Sequence, residues 1–316
     1  MDSTFSRRQA IIGASATCLA ASRAGAAPFF GPSRIPLGAQ LYALGPDLAT
    51  SLESNLAALA RIGYRRVEMA GFLGRSAQQL RAAFDNAGLE CHSAHVPIRA
   101  MFAGQGDTLA DLPKLIDDAH VLGWRYVVLP IFNFPASASA PNAGENPLDF
   151  IVRAGKQMTA DDWRATADLL NTSGDALAVA GLRMCYHNHN FEFAPIAGTT
   201  GYEILLERTD PRLVSFEMDA GWVAAAGLDP IALLQRYPGR FRLMHVKDIK
   251  ASTKPNFAFQ QDPTEVGSGM MDWKRILPAA TAAGIVEFYV EQEPPFVVPR
   301  LASLEKSYRY LVSLEN

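Results

Sequence analysis

The sequence predicts an α/β fold, a single (β/α)8 TIM barrel, and three observations predict it. Eight short apolar runs alternate with helical stretches. Five helix-to-strand junctions carry a small or apolar residue followed by Gly, the residue that best adopts the left-handed turn ending a helix. Ionisable residues collect at the ends of the apolar runs, where barrels of this class keep their chemistry. With 316 residues, 49% of them hydrophobic, the chain can fill one large core.

The first 26 residues stand outside this pattern. Arg7 and Arg8 precede a modestly apolar run, Ala10 to Ala21, and Ala24, Gly25 and Ala26 offer small residues for cleavage after Ala26. Residues 1–26 therefore read as a twin-arginine signal peptide, and the mature protein is expected in the periplasm. Cys18 follows Ser15, Ala16 and Thr17, a poor context for a lipid anchor. The whole chain carries a formal charge of −3; removing Arg7, Arg8, Arg23 and Asp2 leaves −5. That sign opposes nucleic-acid binding, which gains affinity by neutralising phosphates. No apolar run in the body approaches the roughly 18–20 residues of a membrane span, so no membrane partner is expected after cleavage.

The barrel is expected over residues 36–312. Leu37–Tyr42 opens it. Tyr64–Ala70 follows Gly63, Leu89–His95 follows Gly88, Tyr126–Pro130 follows Gly123, and Leu182–His189 follows Gly181. Leu213–Asp219 and Arg242–Asp248 come after the turn pairs Asp210-Pro211 and Pro238-Gly239, and Ile285–Glu291 follows Gly284. Among the helices, Leu52, Leu56, Leu59 and Ile62 share one face, with Thr50 and Glu53 as a capping box. Thr159 with Asp161 and Asp162 opens another helix, and Asp272 caps a third. Two long connections, Ile131–Met158 and Lys250–Met271, follow strands and read as lids or substrate loops. Cys91 and Cys185 lie in apolar runs and read as buried thiols. A doubly wound open sheet is the alternative, but no Gly-rich phosphate turn follows the first strand.

Strands buried on both faces should be apolar throughout. Their last positions instead carry Gln40, Glu68, His95, His187 and His189, Glu217 and Asp219, His245 and Lys247, and Glu291 and Glu293. Side chains two apart share a face, and neighbouring strands lie about 4.8 Å apart. Ligands from strands five to eight can thus converge on one ion. A His/Asp/Glu set without Cys suits Mn, Mg, Co or Zn.

In chain order, Tyr186-His187-Asn188-His189, Glu217-Met218-Asp219-Ala220-Gly221-Trp222, His245-Val246-Lys247-Asp248 and Glu291-Gln292-Glu293-Pro294 resemble the xylose isomerase-like barrel superfamily. Its sugar epimerase and inosose dehydratase branches look most similar, over residues 36–312. The resemblance implies one divalent metal ion held by His187 (or His189), Asp219, His245 and Glu291. His187 lies 32 residues before Asp219, about one strand–helix unit, which favours it over His189.

The resemblance also implies the chemistry. A proton leaves the carbon beside a carbonyl, and a metal neutralises the resulting enediolate. The expected function is a metal-dependent sugar isomerase or epimerase on a small sugar or keto-sugar. His189 or Glu291 is the expected base, and Lys247 polarises a substrate oxygen or protonates a leaving group. Gln40, Glu68, His95, Glu265 and Trp222 are expected to contact the sugar.

Each role has a structural alternative. Glu68 could pair with Arg65 or Arg66, His95 could be a core histidine, Lys247 and Asp248 could form a rim pair, and Glu217 is expected to pair with Lys247 or Arg183. Strand five departs from the epimerase pattern, with His187 where a glutamate is usual and Glu192 as the nearest acid. A dehydratase or keto-glycoside lyase using the same enediolate therefore stays open. From other classes, an abasic-site endonuclease would need a trinuclear zinc cluster and a basic groove, and a non-catalytic sugar-binding barrel would lack turnover. Homo-oligomerisation is left open.

Replacing Arg7 and Arg8 by Lys should leave an uncleaved chain in the cytoplasm. Fractionation followed by immunoblotting reads this, and mature protein in the periplasm would refute the leader assignment.

Overall fold

The structure, a computed structural model, describes residues 28–31, 34–100 and 106–315. The signal-peptide assignment, including Cys18, lies outside the described residues. Eight parallel strands close into a barrel. They are β1 (Leu37–Gln40), β2 (Arg66–Met69), β3 (Glu90–His95), β4 (Tyr126–Leu129), β5 (Arg183–His187), β6 (Val214–Asp219), β7 (Phe241–Val246) and β8 (Glu287–Val290). Each pairs with the next, and β8 pairs back with β1. Helices separate the strands, so this is the (β/α)8 barrel that the strand count predicted.

Several strands stop earlier than the apolar runs suggested. β1 ends at Gln40, β5 at His187 and β8 at Val290. Tyr42, His189, Glu291 and Glu293 consequently project from the first residues beyond the sheet, where backbone direction is no longer tied to the pleat.

Helix starts follow local chemistry, with one correction. Thr159 accepts from the Asp162 amide, and Asp162 accepts in return from Thr159 N at 2.8 Å. The box expected at Thr50 and Glu53 does not form. That helix begins at Leu48 behind Asp47, so Thr50 already lies inside it and donates back to the Asp47 carbonyl, while Glu53 pairs with Arg75. Asp272 takes the N-cap position of the Trp273–Ala282 helix without a side-chain cap bond. Gly88 and Gly123 close their helices at φ 69° and 81°, a region costly for any residue with a Cβ.

Neither long connection is structureless. Ile131–Met158 holds a 3-10 turn, Ala136–Ala138, and the helix Pro147–Lys156. In Lys250–Met271, Pro263–Thr264 pairs antiparallel with Asp248–Ile249.

The end of the barrel opposite these loops is sealed by aromatics. Phe29 and Phe30 pack edge-on against Phe288 near the start of β8. Phe29 N donates to Leu314 O at 2.9 Å and Pro28 bridges to Glu315, so the two described ends of the chain meet there.

Cys91 and Cys185 are free and buried, as expected, and burial pushes the Cys91 thiol up to about 12 and Cys185 well above its usual value. Thiolate is the reactive form. The chain lacking residues 1–26 should therefore leave Ellman's reagent unreacted at pH 8 and release both thiols in guanidinium. Rapid reaction of the native protein would contradict the packing.

Candidate active site

Strand register sets the inner layer of the barrel mouth. Gln40 lies beside Glu68, Glu68 beside Ser93, His187 beside Glu217, and Asp219 beside His245. The register slips twice, where β3 inserts His92 opposite Val67 and Glu68 and where β7 inserts Arg242 opposite Phe216 and Glu217. Bulges of this kind re-aim the side chains around them.

His245 is the hub, fully buried, with its two ring nitrogens facing different carboxylates. Nε2 lies 2.6 Å from Glu68 Oε1 and 3.2 Å from Glu217 Oε2. Nδ1 lies 3.0 Å from Glu291 Oε2 and 3.7 Å from Asp219 Oδ2. Glu217 Oε2 also meets His95 Nε2 at 2.9 Å and His187 Nδ1 at 3.0 Å. Lys247 Nζ sits 2.7 Å from Asp219, 2.6 Å from Glu291 and 3.4 Å from Glu293. Gly221 leaves room for the lysine stem, since a Cβ there would stand 2.8 Å from Lys247 Cγ. Asp219 is oriented by capping the Ala220–Ala225 helix, its Oδ1 accepting from Trp222 N at 2.9 Å.

The charges are mutually balanced. Burial alone would raise Glu68, but His95 and His245 hold it well below the usual carboxylate range. Burial, then the Glu68 charge, pushes Glu217 up to about 7. Burial and the neighbouring His245, His189 and His95 keep His187 well below its usual value. Against burial, Glu68 and Glu217 raise His95 to about 9, and Glu217, Glu291 and Glu68 raise His245. Burial opposes the charge on Glu291, yet Lys247 and His245 hold its carboxyl low. Burial also opposes the Lys247 ammonium, which Asp219 and Glu291 keep charged.

Two groups of ligand atoms result, each within 4.8 Å of one another: Asp219, His245 and Glu291, and His95, His187, Glu217 and His245. The four ligands expected from sequence thus divide between two groups joined at His245. Both donor sets suit a divalent ion of hard or borderline character. Among the described residues Glu217 Oε1 is buried with no hydrogen-bond partner, which fits an oxygen facing a cation, whereas Asp219 Oδ2 already faces the Lys247 ammonium at 2.7 Å.

Other expected residues take more local parts. Gln40 donates to Glu68 at 2.7 Å and accepts from Tyr42 N at 3.1 Å, leaving it committed within the wall. Glu68 binds Gln40, Ser93 and His245, so it has no idle oxygen for a sugar hydroxyl, and its suggested partner Arg66 pairs with Glu287 instead. Glu217 pairs with three imidazoles and neither Lys247 nor Arg183; Arg183 reaches Ser215. Asp248 turns away from Lys247 and accepts from Gly267 N, Met271 N and Trp273 Nε1, which anchors the loop after β7. Glu265 pairs with Lys306 at 3.2 Å and stands outside the cluster. Trp222 is buried under Lys247, whose Nζ lies 5.1 Å from its ring.

Three site residues had no role assigned from sequence. Glu293 was noted only as a strand-end acid, and burial raises its carboxyl. Tyr42 stands beside Glu293, whose charge and the site's burial raise its hydroxyl; it continues the alternation of Gln40, the signal that could have found it. Phe259 stacks on Trp222 at 4.9 Å and packs on His189 at 4.8 Å, with no local pattern announcing it.

Glu68→Ala should cost roughly 3–5 kcal/mol, because it strands buried cationic partners. Thermal unfolding reads this, and an unchanged Tm would show that the network does not depend on Glu68.

This architecture has relatives. A profile described as xylose isomerase-like TIM barrel matches residues 56–314. An inosose dehydratase of Lacticaseibacillus casei is 26% identical over 86% of this chain and 93% of its own. Another, from Geobacillus thermodenitrificans (strain NG80-2), is 30% identical over 45% of this chain, a match spanning only 51% of that relative. Among solved structures, a sugar phosphate isomerase/epimerase from Parabacteroides distasonis ATCC 8503 superposes with a TM-score of 0.67 at 25% identity, over 90% of this chain and 97% of that one. With a closed eight-stranded barrel, a His/Asp/Glu mouth and a profile match across most of its length, the chain belongs to the xylose isomerase-like TIM barrel family.

Proposed function

We propose that the protein is a divalent-metal-dependent carbon–oxygen lyase acting on a keto-sugar, removing a proton beside the carbonyl and then expelling a β-oxygen. One observation carries the choice of elimination. No carboxylate opposes Glu291 from strand five: His187 stands there, and Glu192 is tied to the Tyr186 hydroxyl and to His189 N, each at 2.9 Å. Epimerisation by paired carboxylates lacks one of its pair. The dehydratase names of relatives covering most of this chain agree with elimination.

Asp219, His245 and Glu291 would hold the ion. His245, held cationic by its carboxylates in this structure, would release its Nδ1 proton to bind the ion while Nε2 stays engaged by Glu68, an arrangement that fixes ring orientation in many metal sites. His187 belongs to the other group, anchored through Nδ1 to Glu217 with its ring 4.6 Å from that of His245, and would join the set only by turning toward the ion. When bound, the ion supplies Lewis-acid stabilisation of negative substrate oxygen.

The chain's own groups do the proton work. His189 Nδ1 is buried 3.8 Å from Glu192 Oε1, and its ring is steadied by stacking on Phe191 at 5.2 Å. The other ring nitrogen of His189 takes the proton from carbon. Lys247 and His245 hold the Glu291 carboxyl low and anionic, which suits it to the ion. Lys247 stays charged and polarises the carbonyl side. Glu293, its carboxyl raised by burial, delivers a proton to the departing oxygen as the carbon–oxygen bond breaks. With the Arg7–Arg8 leader, the same reading puts the enzyme in the periplasm, among unphosphorylated sugars.

His245→Ala should remove bound metal and lower turnover by about 10³-fold, whereas His189→Ala should keep the metal and lose about 10²- to 10⁴-fold in rate. Elemental analysis and NMR of a keto-inositol incubated in D2O separate the outcomes. A dehydrated product supports the lyase, an inverted or isomerised sugar carrying deuterium supports an isomerase, and full metal in His245→Ala removes His245 from the ligand set.

A further inference from the structure

Where the two long connections meet, a cavity of about 350 Å³ opens beside the site. Met158 and Val152 come from the connection after β4, Trp163 from the helix that follows, Phe191 and Ile196 from the loop after β5, and Phe259 from the loop after β7. We infer that the sugar substrate carries a flat apolar group, as in an aryl glycoside, and that this cavity receives it. The inference rests on the sugar reading above and names its substrate class.

Phe191 and Phe259 are the walls that tie the cavity to the chemistry. Both line it, and both pack against His189, at 5.2 and 4.8 Å between rings. A group lying in the cavity is therefore one ring's thickness from the proposed base. Phe259 is held there at a cost: its φ is +59°, left-handed for a residue with a Cβ. Two asparagines impose that geometry. Phe259 N donates to Asn190 Oδ1 at 3.0 Å, and Asn190 Nδ2 donates to Asn256 O and Oδ1, both at 3.0 Å. Strain maintained by side-chain bonds across two loops points to a wall that must be placed.

The lining suits an apolar ring better than a second sugar. The six named side chains present mainly hydrocarbon and aromatic surface, with Trp163 Nε1 a single buried donor unpartnered among the described residues, whereas a sugar ring needs donors and acceptors for each hydroxyl. Apolar cavities of roughly 150 Å³ accept benzene, so this one has room for a substituted ring or two fused ones. Lys156 lies exposed at the rim, outside every ion pair among the described residues, where it can meet a polar or acidic outer edge of the ring.

Calorimetric titration in MnCl2 tests the inference, using the 3-keto forms of 4-nitrophenyl β-D-glucoside and methyl β-D-glucoside, and 4-nitrophenol. The aryl glucoside should bind about tenfold or more tightly than the methyl glucoside, from burial of its ring. Ala194→Trp, which fills the cavity from its lining, and Phe259→Ala, which removes a wall, should each bring that ratio close to one. Equal binding of the two glucosides by the native protein overturns the cavity assignment and leaves the keto-sugar chemistry standing. Binding of 4-nitrophenol without either glucoside, or of none of the three, overturns the glycoside assignment; deuterium exchange into the keto-inositol then reads the lyase proposal separately. A preference that survives both substitutions places the ring elsewhere and also overturns it.

Discussion

Burying Glu68, Glu217, Asp219 and Glu291 in the mouth of one barrel would cost several kcal/mol for each uncompensated charge, and the rest of the site follows from how that cost is met. Three cationic groups lie among the four carboxylates: His95 toward one side, Lys247 toward the other, and His245 between, touching both. Each charge is within hydrogen-bond reach of an opposite one. The arrangement gives His245 a fixed ring plane, presents one of its nitrogens to Asp219 and Glu291, and leaves His187 uncharged.

Much of the fold was legible because it depends on short-range rules. Gly at a helix end followed by an apolar run needs only local backbone physics, and the five strands it announced, after Gly63, Gly88, Gly123, Gly181 and Gly284, are all present. The N-cap at Thr159 is equally local. The Thr50 box failed because the same motif reads alike whether it starts a helix or sits one turn inside, and Asp47 had already begun this one.

The site was legible as a set of residues and not as a set of partners. Alternation placed Glu217 and Asp219 on one face, but which cation each meets depends on cross-strand register, and that register slips at His92 and Arg242. Neither bulge carries a sequence mark. The expectation that Glu217 would pair with Lys247 or Arg183 failed for this reason, and Glu68 likewise faces His245 rather than Arg66. Residues past the strand ends were harder still. Phe259 reaches the site through Asn190 and Asn256, a contact bridging 66 residues of chain.

The aromatic seal beneath the barrel has its own consequence. Because Pro28 and Glu315 are bridged on the side remote from the catalytic mouth, a chain cut to begin at Pro28 can be fused or immobilised at either of these two residues without shading substrate entry. Joining those ends by a short linker and reopening the chain in an exposed loop would yield a circular permutant with the same eight-stranded wall.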